Sequence, residues 1–514
     1  MVKGFLNLSL SPTIWKSTLM DIHDATSYGH KPETGDTIVV EYASPNTNKP
    51  LHLGHMRTIL LGWSMANILE AQGNKVIRTQ IVNDRGVAIC KSMLAWQRYA
   101  NNATPESSKI KGDFFVGKYY VLFDRKFQEE YAVWQRSSTG QQHYAQNNKG
   151  KDTRELLLKW EDGESDTMSL WHQMNGWVYS GFDQTYDQLG IRFDKSYYES
   201  QTYLLGRSIT EHGLEKGVFY KEDDDSIWID LEDVKLDKKI VLRADGTTVY
   251  LTQDLGTARQ RYEDFDMDAM VYVVGDEQDY HFKVLFESLK RLGESYADRL
   301  HHLSYGMIDL PTGKMKSREG TVVDADELIA EVKAEAATST LERGILSDLT
   351  PMEIDDINTK IALGALKFFI LKVQAKKRMT FNPKESVDLQ GQTGPYIQNA
   401  YVRIQSIKRK NTDQNNDHTI SEYTALNNLE IGLIRSLSQY PDVITSAADK
   451  YDPAEIANYA YRLAKDYHRF YHDCQILKAP EPGAKAFRLL LSDQVGYVLE
   501  DALGLLGIDV PKQM

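Results

Sequence analysis

Two histidines three residues apart, His52 and His55, flank Gly54 at the end of the stretch SPNTNKPLHLGH, residues 44–55. They could be a structural pair. They could bind a metal, but no third ligand candidate is near and cysteines are scarce. They could also contact phosphates: the glycine allows close backbone approach, a following helix N-terminus favours anions, and an imidazole can donate to a phosphoryl oxygen as charge builds there. The P-loop signature is absent. A second candidate is PTGKMKSREGT, residues 311–321, where Lys314, Lys316 and Arg318 fall between two glycines. Alone, it reads equally well as a solvated loop. Paired with the first, it reads as a clamp whose hydroxyls and cations stabilise a leaving pyrophosphate.

The elements that must position these groups are partly legible. Thr37–Tyr42 reads as a buried strand, Met56–Ala71 as a helix and Val76–Val82 as a strand, so a βαβ unit and a parallel sheet are expected. The histidines then sit where a strand turns into a helix, a place where parallel sheets carry ligands. A loop around Asn83-Asp84-Arg85-Gly86 follows, in which Asp84 and Arg85 could form an ion pair. Residues 91–180 read as helical but solvated, with a soft centre near 137–150. Further strands are expected near Ser226–Leu231, Val249–Leu251 and Met270–Val274, with a helix at 254–262 that Asp254 could cap. A second strand–loop–helix crossover runs through Gly275-Asp276-Glu277-Gln278 into a helix at Tyr280–Leu292. Beyond about residue 345, segments 356–378, 395–410, 420–439, 453–473 and 484–506 repeat apolar residues at helical spacing. Gly4–Leu8 looks like an edge strand that starts abruptly, as if cut from a longer arrangement.

The 514 residues carry a net charge of −13 and two cysteines, Cys90 and Cys474. An ordinary globular balance suits a multidomain soluble protein. Few cysteines fit a reducing compartment and exclude a cysteine-based zinc site. No signal peptide or long apolar run is present, so a cytoplasmic location with no membrane association is expected. The acidity argues only weakly against a nucleic-acid partner, because a locally basic face can bind a polyanion.

HLGH resembles the HIGH signature of class I aminoacyl-tRNA synthetases, and KMKSR, residues 314–318, resembles their KMSKS signature. The two lie in order, about 260 residues apart. More specifically, the chain resembles the arginyl-tRNA synthetase family from residue 4 to its end. GFLNL near the start, SPNTNKPLHLGHMR and GDFFVGKYY from Gly112 carry that resemblance. So do LGIRFD from Leu189, YLTQDLGTA from Tyr250, VVGDEQDYHF from Val273, GQTGPYIQNAYVRI from Gly391 and the final DALGLLGIDVPKQM. The resemblance implies an α/β fold: a Rossmann-like parallel-sheet catalytic domain over 31–345 with an insertion at about 100–200. A residual N-terminal segment at 1–30 and an all-helical anticodon-binding domain over 346–514 complete it. Bacterial-type members carry an extra N-terminal domain that touches the tRNA elbow. The chain is expected to lack it, which would lower tRNA affinity more than ATP binding.

The implied activity is ATP-dependent ligation of L-arginine to tRNA(Arg) through an arginyl-adenylate, with Mg²⁺ on the ATP and no metal site of the protein's own. Arginine activation is expected to need bound tRNA, and no editing domain is expected. His52, Gly54 and His55 would hold ATP; Lys314, Met315, Lys316 and Ser317 would contact the pyrophosphate side. The second signature departs from the family's usual Lys-Ser ending, and Lys49 is the expected compensating cation. Asn46, Glu199, Tyr250, Asp254 and Gln278 would read the amino acid; Tyr250 and Asp254, four apart, share one helical face, and Asp254 can pair with a guanidinium in bidentate fashion. For tRNA, two basic clusters are expected, Lys372, Lys376, Lys377 and Arg378 in one and Arg403, Lys408, Arg409 and Lys410 in the other, with Tyr396 and Tyr401 between. Gln392, Tyr396, Gln398 and Arg403 are the strongest tRNA candidates. Tyr467, Phe470 and Tyr471 suit an anticodon surface or a core. Asp162, Glu164 and Asp166 are expected to face away from tRNA. A monomer is expected. Three alternatives remain: a class I synthetase for another amino acid, a non-catalytic tRNA-binding protein with this fold, and a simple nucleotidyltransferase of the same superfamily, which would not need the large helical domain. The cysteinyl type lacks its zinc ligands here, and a glutamyl type would need a basic pocket.

Overall fold

The computed structural model describes residues 10–137, 148–309, 323–343, 349–411 and 420–514. They divide into two compact units, one drawn from Asp36–Gly62 and Val76–Leu328, the other from Met1–Gly35, Trp63–Lys75 and Ile329–Met514. The expected strand at Gly4–Leu8 and the loop at 311–320 lie outside the described residues.

The first unit is built on strands β1 (Thr37–Glu41), β2 (Lys75–Val82), β3 (Lys195–Tyr198), β4 (Phe219–Lys221), β5 (Ile227–Ile229), β6 (Lys239–Leu242), β7 (Ala269–Gly275) and β8 (Leu300–Tyr305). Five form the main sheet in the order β3-β2-β1-β7-β8. β1 pairs with β7, β7 with β8 and β2 with β3, all parallel. The chain thus builds outward on one side through β2 and β3, then on the other through β7 and β8. Such a reversal leaves a crevice beyond the carboxyl ends of β1 and β7. Both of these strands read as continuous apolar runs because both faces are covered. β4, β5 and β6 form a separate antiparallel sheet.

Three expectations change. Val249–Leu251 is not a strand: helix Tyr250–Phe265 begins there, burying Leu251, Leu255 and Ala258 on one face. That start also removes Asp254 from a capping position, since it lies in the helix's second turn. β3, β4 and β6 fall where no strand is expected, β6 just upstream of this helix. Residues 91–180 are helical, but they are not merely solvated. Helices Gly112–Ser137, Asn148–Glu161 and Ser165–Leu189 bury Phe115, Phe123, Trp160, Trp171 and Phe182.

The second unit is helical. Pro12–Asp24, Pro351–Leu371, Gly394–Lys410, Ala454–Asp473 and Ala484–Leu505 are its main helices. The segment expected as one helix at 420–439 is broken. Asn427 caps a helix at Asn428–Ser438 through a reciprocal bond with Glu430, and Pro441 opens a new helix at Tyr440–Asp449. Glu430 is fully buried and accepts from Arg488 Nε at 2.7 Å and Tyr423 Oη at 2.9 Å.

Arg261 ties the first unit together. It is 2 % exposed, and its guanidinium donates to the buried carboxylate of Glu41, the last residue of β1. It also lies 5.2 Å from the ring of Tyr197 on β3 and 5.8 Å from that of Tyr272 on β7. Removing one partner of such a pair strands a buried charge, at a cost of about 3–5 kcal/mol. Glu41→Gln should therefore lower the urea midpoint of this unit, followed by near-ultraviolet circular dichroism. An unchanged midpoint would show that the pair is dispensable.

Candidate active site

β1 leaves the sheet through Ala43 and Ser44, both with positive φ, at 74° and 44°. Two consecutive non-glycine residues in this region mark strain of a kind that collects at functional turns. Asn46 then forms a parallel bridge with Asn83, the residue after β2. Asn83 N donates to Pro45 O at 2.9 Å and Thr47 N to Asn83 O at 3.1 Å. The loops after the two strands are thus fastened together.

Helix Leu53–Ala71 starts three residues earlier than the expected Met56, so the histidine pair forms its first turn. His52 and His55 share one face, with ring centroids 3.8 Å apart. His55 Nδ1 accepts from His52 N at 3.2 Å, and His52 Nδ1 accepts from Gly54 N at 3.1 Å. These bonds assign both rings the tautomer with the proton on Nε2. A Cβ on Gly54 would lie 3.0 Å from the His52 ring, so this glycine makes room for an imidazole. Burial, with the Lys49 charge adding to it, pushes His52 down to about 3. Burial, then His52 and Lys49, push His55 well below the usual histidine range. Burial also lowers the Lys49 ammonium. The turn therefore offers two neutral Nε2–H donors and one cation to an arriving anion. Lys314, Met315, Lys316 and Ser317 lie outside the described residues.

Carboxylates gather across the same loops. Asp84, 1 % exposed, accepts from Ser200 N at 2.9 Å, Ser200 Oγ at 2.8 Å and Tyr179 Oη at 2.8 Å. It makes no ion pair with Arg85 among the described residues, so that alternative does not hold. Arg85 instead pairs with Glu161 and lies 4.0 Å from the Tyr203 ring. Holding Ser200 fixes its neighbour Glu199, whose carboxyl burial raises, with Arg85 opposing and Asp84 and Asp254 reinforcing the rise. Asp254 accepts from or shares a proton with His281 Nε2 at 2.6 Å. Tyr250, 78 % exposed, opens the helix that bears Asp254, and Gln278 lies exposed in the turn after β7. Glu199 and Asp254 lie close enough for their charges to interact, and Asn46 is tied to Asn83, next to Asp84; Tyr250 and Gln278 side chains make no hydrogen bond among the described residues.

In the helical unit, Lys376, Lys377 and Arg378 are exposed at the end of helix Pro351–Leu371. Arg403 is exposed and lies 5.2 Å from the Tyr471 ring. Tyr396 is half-buried beside His468 and Tyr461. Gln392 donates to Asn458 at 2.7 Å. Gln398 is a correction: it is fully buried and donates to the carbonyls of Lys360 and Asp509, so it cannot present itself to a nucleic acid. Tyr401, Tyr467 and Phe470 are likewise core residues. Lys408 is paired with Asp493 and Arg409 with the Lys512 carbonyl, which weakens the second basic cluster. Asp162, Glu164 and Asp166 are exposed, and Glu164 caps helix Ser165–Leu189.

Three groups at the site escape sequence reasoning. His281 and the Asp84–Ser200 clasp join residues distant in the chain, and no local pattern marks them. The strain at Ala43 and Ser44 falls on residue types that seldom adopt it.

A five-stranded parallel sheet reversing at the HLGH turn, joined in one chain to a helical unit, defines a class I aminoacyl-tRNA synthetase. The sequence matches the family profile of "tRNA synthetases class I (R), catalytic domain" over residues 19–382 and that of the DALR anticodon binding domain over 397–514. It is 49% identical to the arginine–tRNA ligase of Parabacteroides distasonis and 50% identical to that of Bacteroides thetaiotaomicron, each over 100% of this chain and 87% of the relative. The fold matches the Thermus thermophilus arginyl-tRNA synthetase with a TM-score of 0.83 at 22% identity, covering 97% of this chain and 86% of that one. The chain belongs to the arginyl-tRNA synthetase family, so the reading as a synthetase for another amino acid is set aside.

Both imidazoles stay neutral in the native state, whereas the unfolded chain protonates them below about pH 6.5. Their contribution to stability is full above that pH and is lost as pH falls toward 3. His52→Gln with His55→Gln should flatten the decline of the urea midpoint between pH 7 and pH 5. Parallel declines in both proteins would contradict the neutral assignment.

Proposed function

We propose that this chain joins L-arginine to tRNA(Arg) in two steps. An arginine carboxylate oxygen attacks the α-phosphorus of ATP; the new O–P bond forms as the bond to pyrophosphate breaks, leaving arginyl-adenylate. A hydroxyl of the terminal adenosine of tRNA then attacks the activated carbonyl, and AMP departs with the bonding pair. No side-chain nucleophile is needed; catalysis is positioning and stabilisation of phosphate charge. The observation that carries this reading is the imidazole pair, each Nδ1 accepting a backbone N–H and leaving the proton on Nε2, at the crevice where the sheet order reverses.

His52 and His55 would donate to ATP phosphates, with Lys49 as the cation that Ser317 does not supply. Lys314, Met315 and Lys316 are assigned to the pyrophosphate side by their motif alone. Asp254 and Glu199 would take the guanidinium, Tyr250 would wall it, and Asn46 and Gln278 would hold the polar end of arginine. Among the described residues no group of three or more His, Cys, Asp or Glu could hold a metal ion. Imidazoles and an ammonium are not the oxygen set that Mg²⁺ takes, so the ion would ride on the phosphates, and no step is routed through it. In the same reading, residues 31–345 catalyse and residues 346–514 hold tRNA through Lys376, Lys377, Arg378, Gln392, Tyr396 and Arg403. No helix among the described residues is long and apolar enough to cross a membrane. A cytoplasmic monomer is the form proposed to act.

The test is ATP–pyrophosphate exchange with each amino acid, with and without tRNA. Exchange with arginine alone among amino acids, and only with tRNA present, is expected. Asp254→Asn should raise the KM for arginine on the order of a hundredfold, as loss of a charge-assisted pair worth about 3 kcal/mol requires. Exchange with a different amino acid, or an unchanged KM, would overturn the assignment.

A further inference from the structure

The stretch GDFFVGKYY, residues 112–120, plays no part in the chemistry above, yet it touches the support of the phosphate-binding turn from two sides. It forms the start of helix Gly112–Ser137. A Cβ on Gly117 would stand 2.9 Å from Pro50 Cδ and 3.5 Å from Lys49 Cα. The helix backbone thus lies against the chain that leads into His52, and a proline ring cannot swing aside. At the helix's beginning, the Lys111 ammonium donates to Thr185 Oγ1 and to Asp326, and lies 3.4 Å from Asp113. Thr185 Oγ1 donates to the other oxygen of Asp326 at 2.9 Å.

Asp326 in turn connects to the histidine turn. Its N–H donates to Asp324 Oδ1 at 2.9 Å. Asp324 faces His52 in an antiparallel bridge. Leu53 N donates to Val323 O at 3.1 Å and Ala325 N to Leu51 O at 3.0 Å on either side of it. Asp324 Oδ2 is buried with no hydrogen-bond partner among the described residues. Burial raises the Asp324 carboxyl to about 7 and the Asp113 carboxyl to about 6. A buried carboxyl with one oxygen left unpartnered, as at Asp324, is a poor way to stabilise a fold. It suits a site where placement of the backbone matters more than stability.

We infer that the 112–120 stretch, with Lys111 just before it, is a strut, in which Gly117 from one side and Lys111 with Asp326 from the other fix where Lys49 and the His52–His55 turn stand. These three are positioning residues for ATP, and the inference rests on the reading that the turn holds ATP phosphates. Donors to a developing charge lose their effect when misplaced: an error near 1 Å can lower the rate on the order of a hundredfold. Arginine is read from other loops and should be indifferent to the strut.

The experiment compares full-length Gly117→Ala, Lys111→Met and Lys111→Arg with the parent chain. Affinity for ATP alone is read by calorimetry, and kcat and the KM for arginine by exchange in the presence of tRNA. Gly117→Ala and Lys111→Met should bind ATP more weakly and lose kcat on the order of a hundredfold, with the KM for arginine unchanged. Lys111→Arg should recover most of both. Unchanged ATP affinity and kcat in a folded variant, or a loss shared equally with arginine binding, would overturn the strut. If Gly117→Ala does not fold, the two Lys111 variants decide by the same readouts. His52→Ala separates the two levels: if it leaves ATP binding intact, the phosphate reading fails; if it weakens ATP binding while the strut variants do not, only the strut fails.

Discussion

The catalytic unit depends on one buried guanidinium. Arg261 sits in the helix that carries Tyr250 and Asp254, and its partner Glu41 ends the strand that leads into the histidine turn. The amino-acid side and the phosphate side of the proposed site are thus referenced to the two ends of a single ion pair. Tyr197 on β3 and Tyr272 on β7 flank the cation, so both strands are packed against it. A buried pair of this kind contributes little net stability. Its effect is geometric: the helix cannot slide along the sheet without stranding a charge.

The electrostatics of the two sides are opposite in design. On the phosphate side, burial keeps both imidazoles neutral, so the donors need not surrender an internal ion pair before an anion arrives. On the amino-acid side, Asp84, Glu199 and Asp254 crowd together, and burial raises the carboxyls of the first two. A cationic side chain relieves exactly that crowding of like charge, which a neutral competitor of the same length would leave in place. The acidity of the chain is therefore no obstacle to its chemistry: the negative charge near the crevice suits the guanidinium, and exposed cations such as Lys376, Lys377 and Arg403 belong to the helical unit.

Much of this was readable from residue pattern. The apolar runs at Thr37–Glu41 and Ala269–Gly275 mark strands buried on both faces, and helical spacing marks Ala454–Asp473 and Ala484–Leu505 within a residue or two. The misreadings have local causes. Val249-Tyr250-Leu251 has strand-forming side chains, but the next turns supply a helical stripe that overrides them. Polar residues between 91 and 180 hide aromatics spaced to face inward. Gln398 looks like a nucleic-acid contact by type, yet two backbone carbonyls inside the helical unit claim its amide. Contacts such as Asp84 with Ser200, or Asp254 with His281, join loops far apart in sequence and leave no periodic trace.

The short bridge between Leu51–Leu53 and Val323–Ala325 joins segments about 270 residues apart. During synthesis the histidine turn emerges early, but the segment that bridges to it is not yet made. At roughly 5–20 residues per second, the turn waits on the order of 10–50 s for its partner. Over that interval the nascent chain carries the HLGH motif without the two backbone bonds that tie it to Val323 and Ala325. The proposed nucleotide site is thus among the last parts of the catalytic unit to mature, although its signature is among the first to be translated.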